Sequence, residues 1–80
     1  MDTNFGAALS ALKEGKVVAR KGWNAHHMLE LRAADDEHNI APYISMIIGP
    51  DATDMQGKIM PWVASQTDLM AEDWQVLSNA

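Results

Sequence analysis

Residues 5–20 read Phe5-Gly6-Ala7-Ala8-Leu9-Ser10-Ala11-Leu12-Lys13-Glu14-Gly15-Lys16-Val17-Val18-Ala19-Arg20, and the hydrophobic period changes within them at Gly15-Lys16. Before the change, Phe5, Ala8, Leu9 and Leu12 recur at helical spacing behind Asn4, a residue suited to an N-cap. Lys13 and Gly15 supply a stop, so the pattern predicts an amphipathic helix over 5–14. Ala7, Ala8 and Ala11 sit between the larger groups, which lets a sheet approach closely. After the change, Val17-Val18-Ala19-Arg20 is partly β-branched and ends at Lys21-Gly22, a turn signal, giving a strand over 16–20.

Working outward, Met28-Leu29-Glu30-Leu31-Arg32 alternates apolar and polar groups as a half-buried strand does. Ala33 to Asn39 is polar and without period, a solvated loop before Pro42. Tyr43 to Ile48 is an apolar run broken only by Ser45, the strongest strand of the chain, expected centrally in the sheet. A loop over Gly49-Pro50-Asp51-Ala52-Thr53-Asp54 and a turn at Met55-Gln56-Gly57 lead to a strand over Lys58–Trp62. Pro61 lacks a ladder donor, which places it on an edge, at a bulge or at a strand end. Ser65-Gln66-Thr67-Asp68 matches the capping-box pattern and starts a helical turn through Leu69, Met70 and Ala71. Trp74-Gln75-Val76-Leu77 closes the chain as a last strand. The fold class is α+β: one N-terminal helix packed on an antiparallel sheet of about five strands, with a short helical turn near the C-terminus.

Eighty residues make one domain, 1–80. The hydrophobic fraction is 48%, but twelve of those residues are alanine, so the core is thin and self-association would relieve the shortage. Without cysteine there is no disulfide scaffold, thiol nucleophile or cysteine-bound metal, and a reducing cytoplasm fits best. No apolar run approaches the roughly 20 residues of a membrane helix, so no membrane partner is expected. A net charge of −5 repels a nucleic-acid backbone and argues against polymeric DNA or RNA.

Within this acidic chain, Lys13, Lys16, Arg20 and Lys21 fall in one short span that ends before Trp23. A local positive cluster beside an aromatic ring suits a phosphate with a stacked base, whereas the plainer reading is a helix end with favourable lysines and a solvated strand. Trp23 and Trp62 follow Gly22 and Pro61, where regular structure breaks. There they either stack on a ligand or roof the core or an interface, while Trp74 belongs in the core. His26-His27 and Asp35-Asp36-Glu37-His38 lack the spacing of a known metal site, so no metal is expected. Asp54, Asp68, Asp73 and the histidines are available as acids or bases. No nucleophile, base and orienting partner stand in a recognisable order, so the chain reads as a binder and not an enzyme, needing no cofactor.

Two segments carry a resemblance. Phe5-Gly6-Ala7-Ala8-Leu9 with Leu12 to Asn24, in which Gly15-Lys16 and Arg20-Lys21-Gly22-Trp23 stand out, pairs with Pro61 to Trp74, reading Trp-x-x-Ser-x-x-Asp-x-x-Ala-x-Asp-Trp. Together they resemble the small phage proteins known as Thoeris anti-defence proteins of the second type. That resemblance implies a cytoplasmic sponge, commonly a homotetramer, that sequesters a cyclic ADP-ribose isomer or another cyclic nucleotide signal without cleaving it, so that the infected host's defence effector stays inactive. The positions it carries over are Phe5, Arg20, Trp23, Trp62, Ser65 and Asp68. In that reading Trp23, with Phe5 or Trp62, stacks on a base, Arg20 or Lys21 pairs with pyrophosphate oxygens, and Asp68 and Ser65 take ribose hydroxyls. The chain departs from the pattern at Ala25-His26-His27 and in its short acidic middle loop, which bears on the preferred signal. The alternatives are a hydrolase of the same nucleotide and a protein that inhibits a defence protein by direct contact.

Overall fold

A computed structural model describes residues 2–23, 26–49 and 57–79. Most of the expected 49–54 loop, Met55-Gln56 of the turn, and Asn24-Ala25 lie outside the described residues. Along the chain run α1 (Phe5–Lys13), β1 (Lys16–Arg20), β2 (Met28–Arg32), β3 (Tyr43–Ile47), β4 (Ile59–Pro61), α2 (Gln66–Met70) and β5 (Trp74–Asn79). The strands form one antiparallel sheet in the order β4-β3-β2-β1-β5. This is the expected helix on a five-stranded sheet.

Local chemistry explains the boundaries. The Asn4 side chain accepts from the Ala7 N–H, as an N-cap does, and Gly15 takes a left-handed φ of 87° just past the helix end. The helix stops at Lys13, one residue short of the expected 14, because Glu14 already serves as the C-cap. Ser65 and Asp68 form a reciprocal capping box that starts α2. β4 is shorter than expected, and Pro61 is its last residue on an edge strand, where a missing donor costs no ladder bond. The strong apolar strand β3 lies inside the sheet but second from its edge, and the middle position belongs to β2. Apolar side chains report cover on the faces of a sheet and not a strand's place in its order, and those of β3 are half-buried.

Strand alternation divides the sheet into two faces. Val18 and Leu29, paired across β1 and β2, join Ala8, Ala11, Leu12 and Trp74 in the buried core beneath α1. The small helix residues allow the predicted close approach, with Ala8 fully buried. α1 lies across β1, β2 and β5, so the β3–β4 side is less covered and Ile59 and Met60 stay exposed. Ala19 and Met28 point to the opposite face, which no helix covers among the described residues.

At the β5 edge, Thr3 exchanges both backbone hydrogen bonds with Trp74 at 2.8 and 3.0 Å, which blunts the free edge. Farther along, the register shifts between Val17 and Val18, which pair with Ser78 and Val76 and leave Leu77 as the extra residue of a bulge.

Trp74 is the largest fully buried side chain. Trp74→Ala should cost about 3–5 kcal/mol through lost burial and a residual cavity. In a domain of this size that lowers Tm by at least about 12 °C in a thermal melt. A shift of only a few degrees would show that the core does not centre on this ring.

Candidate functional site

The sequence candidates gather where β1 ends beside α2 and the start of β5. Arg20, last residue of β1, faces the α1 side opposite Trp74. Its Nε donates to Asp73 Oδ1 at 2.8 Å and its Nη1 to Asp68 Oδ1 at 3.0 Å. The Arg20 side chain is four-fifths shielded from solvent, so these charge-assisted bonds are stronger than surface pairs. Asp68 also accepts the Ser65 N–H through Oδ2 at 3.1 Å, while Asp73 Oδ2 accepts the Gly22 N–H at 3.3 Å. The Trp74 indole N–H donates to the Asp68 carbonyl at 3.0 Å. One network therefore joins β1, the following turn, α2 and β5.

The electrostatics follow from these partners. Burial pushes the Asp68 carboxyl up, but hydrogen bonds from Ser65 and Arg20 outweigh it and leave it below the ordinary carboxylate value. The Arg20 hydrogen bond, aided by the Gly22 N–H and opposed by burial, likewise lowers Asp73. Both carboxylates in turn raise Arg20, which stays charged. Among the described residues Lys21 has no ion-pair partner, so it is the cation of this region left for another anion.

Four rings pack against this network. Trp74 lies 5.3 Å from both Phe5 and Trp23 and 5.9 Å from Trp62, while Phe5 and Trp62 are 5.8 Å apart. Trp23 and Trp62 meet edge to face at 6.4 Å, a favoured aromatic geometry. The structure thus brings Phe5, Trp23 and Trp62 together around Trp74 and leaves all but Trp74 partly open.

Trp23 has a second neighbourhood. A cavity of about 130 Å³ lies on the far face of the sheet, lined by Ala19, Arg20, Lys21, Trp23, His26, His27, Met28, Gln75 and Leu77. Of the sequence candidates, Arg20, Lys21 and Trp23 line it. Phe5, Trp62, Ser65 and Asp68 do not, and lie on the aromatic and carboxylate side. Sequence reasoning singled out neither Asp73 as a partner of Arg20 nor His27, Met28, Gln75 and Leu77 as cavity wall. The closing Asp-Trp of the second motif was the available signal for Asp73; the wall residues carry no motif.

Away from this region, Asp35, Glu37 and His38 place ligand atoms within 4.8 Å of one another on the turn bridged by Asp35 and Ile40. That is the one grouping among the described residues with donor atoms suited to a cation. His38 Nδ1 is already paired with Asp35 Oδ2 at 2.8 Å, and this bond holds the Asp35 carboxyl below its usual range.

Fold and site together define a small α+β protein with a partly open aromatic cluster, an internally neutralised arginine and a small cavity beside them. Its sequence matches the family described as the Thoeris anti-defense 2-like domain over residues 3–77. It is also 40% identical, across 94% of each chain, to the Thoeris anti-defense 2 protein of Bacillus phage SP01. The chain belongs to the Thoeris anti-defense 2-like family, and its general role is Thoeris anti-defence.

The two lowered carboxyls generate a pH dependence of stability. Their contribution is complete above the ordinary carboxylate value of 3.8 and is lost as pH falls from there through the lower folded values. Chemical denaturation of the wild type should show stability falling below about pH 4. The Asp68→Asn, Asp73→Asn double variant, weaker at pH 7, should fall less steeply over the same range. Equal slopes would mean that other carboxyls control acid unfolding.

Proposed function

We propose that this protein is a sponge for a cyclic ADP-ribose isomer, or a related cyclic nucleotide signal, which it binds without cleavage in the cytoplasm of an infected bacterial host. The observation that supports this most is the double placement of Trp23, whose ring packs on the aromatic cluster while the residue lines a cavity beside Lys21, which has no ion-pair partner among the described residues. The core holds the ring in place, and a base can stack on it, with Lys21 beside it for a phosphate.

Capture fits the carboxylates better than hydrolysis does. Asp68 and Asp73 are held ionised by Arg20, so at neutral pH they are poor general acids and weakened bases. Arg20 is itself engaged, which shifts the phosphate-pairing role to Lys21 and makes Arg20 a support for the site.

The cavity's size bears on assembly. Small-molecule pockets run to about 300–1,000 Å³, so about 130 Å³ in one protomer encloses only part of a cyclic nucleotide. A second copy covering the remainder is consistent with a homotetramer. Val63 and Met70, 87% and 78% exposed, offer apolar surface for such contacts. A ligand of about 35 heavy atoms at roughly 0.3 kcal/mol per atom reaches about −10 kcal/mol, or tens of nanomolar.

Native mass spectrometry with a panel of cyclic nucleotides, followed by heat release of the ligand, tests this reading. The expected result is a multimer that binds its ligand stoichiometrically and returns it intact. Turnover to product would support a hydrolase, and a monomer that ignores every nucleotide but retains a host protein would support a direct protein inhibitor. Trp23→Ala, checked for folding by circular dichroism, should lose about 1–3 kcal/mol of affinity in calorimetry. Unchanged affinity would remove Trp23 from the site.

A further inference from the structure

The cavity contains a side chain whose hydrogen-bonding sense is set by the backbone. Gly49 N–H donates to His27 Nδ1 at 2.9 Å. A backbone amide can only donate, so Nδ1 must be unprotonated and the neutral imidazole carries its proton on Nε2. The bond also holds the ring's orientation. His27 immediately precedes β2, Gly49 follows β3 by one residue, and Met28 pairs with Ile47, so the imidazole extends the β2–β3 ladder past its last backbone pair. Gly49 is buried, and turning the ring away would leave its N–H without this acceptor.

The cavity wall favours a flat heterocycle over a phosphate group. Ala19, Trp23, Met28 and Leu77 make much of it apolar, and Leu77 stands at the β5 bulge. Phosphate recognition draws on several cationic donors, but here Arg20 is already shared between two carboxylates, which leaves one lysine, Lys21, on the wall for that task. A cavity near 130 Å³, below the usual range of small-molecule pockets, has room for one ring system and too little for a whole nucleotide.

We propose that His27 is a specificity-determining residue: held by Gly49 as the Nε2–H tautomer, it donates to an acceptor atom on the edge of a nucleobase lodged in this cavity against Trp23. This rests on the nucleotide-binding reading above and adds to it the residue that reads the base. A base with a ring nitrogen or carbonyl at that edge is accepted. One presenting only a donor there meets a second donor and is rejected.

The test uses the intact chain, with adenosine and inorganic diphosphate as separate probes. Long-range proton–nitrogen spectra of the imidazoles should show His27 as the Nε2–H tautomer, and adenosine should shift its Nε2 signal while diphosphate leaves it in place. His27→Asn keeps an acceptor near Nδ1 for Gly49 but removes the Nε2 donor, and should weaken adenosine binding about five- to tenfold with Tm little changed. His27→Gln, which restores a donor near Nε2, should recover part of the affinity even if it lowers Tm. The proposal is overturned if diphosphate rather than adenosine moves the His27 signal, if adenosine leaves it unmoved, or if His27→Asn binds adenosine like the wild type. Adenosine binding by a protein that ignores every cyclic nucleotide would instead sink the sponge reading and leave the role of His27 standing.

Discussion

Arg20 holds the structure together at the point where its two ends meet. Its guanidinium reaches carboxylates 48 and 53 residues away, so one side chain on β1 sets the position of α2 through Asp68 and the entry to β5 through Asp73. The planar fork gives each carboxylate its own N–H, which a lysine ammonium cannot reproduce with fixed angles. Each acid has a second duty that the arginine stabilises. Asp68 closes the capping box of a five-residue helix too short to persist alone, and Asp73 ties down the Gly22 turn that presents Trp23. Without the cation, two partly buried carboxylates would repel each other where the chain must converge.

The aromatic cluster depends on that convergence. Trp74 sits opposite Arg20 and gives its indole N–H to the Asp68 carbonyl, so the deepest ring of the core is oriented by the same network. Phe5 arrives from α1, Trp23 from the turn after β1 and Trp62 from the residue after β4, and all three contact Trp74. An 80-residue chain with twelve alanines has few large side chains to spend, and it concentrates four of its five aromatic residues at one end of the sheet. Trp23 belongs both to this cluster and to the cavity wall, which ties the cavity to the aromatic end of the sheet.

Local pattern made most of the elements legible. The change of period at Gly15-Lys16, the alternation of Met28 to Arg32, the Ser65-to-Asp68 cap and the restriction that Pro61 places on a ladder are all short-range effects, and the structure follows each. Trp74 was readable as core because it lies within a strand, unlike Trp23 and Trp62. The order of strands was less readable: β3 has the strongest apolar run yet is second from the edge, since side-chain pattern reports cover on the sheet's faces and not a strand's place in its order. The site was legible as a set of residues and illegible as a set of bonds. Nothing near Arg20 in sequence announces Asp73, nothing near His27 announces Gly49, and the bulge at Leu77 arises from a register mismatch between strands more than fifty residues apart.

That difference between residues and bonds changes what the paired motifs mean. Arginine, aspartate, serine and tryptophan are the types a nucleotide site uses, and in this chain Arg20, Asp68 and Ser65 satisfy one another, with Trp74 and Asp73 completing the set. Their spacing is therefore explained by the scaffold: a cap needs three residues, and the next five bring Asp73 to the other side of the same guanidinium. A motif of this kind specifies a frame. The side chains that the frame leaves uncommitted or only half committed are Lys21, inside the first motif, and His27, Met28, Gln75 and Leu77, between the motifs and beyond them, and all five line the cavity. Such positions can change without disturbing the Arg20 network, so the frame fixes the fold while the cavity wall stays free to vary.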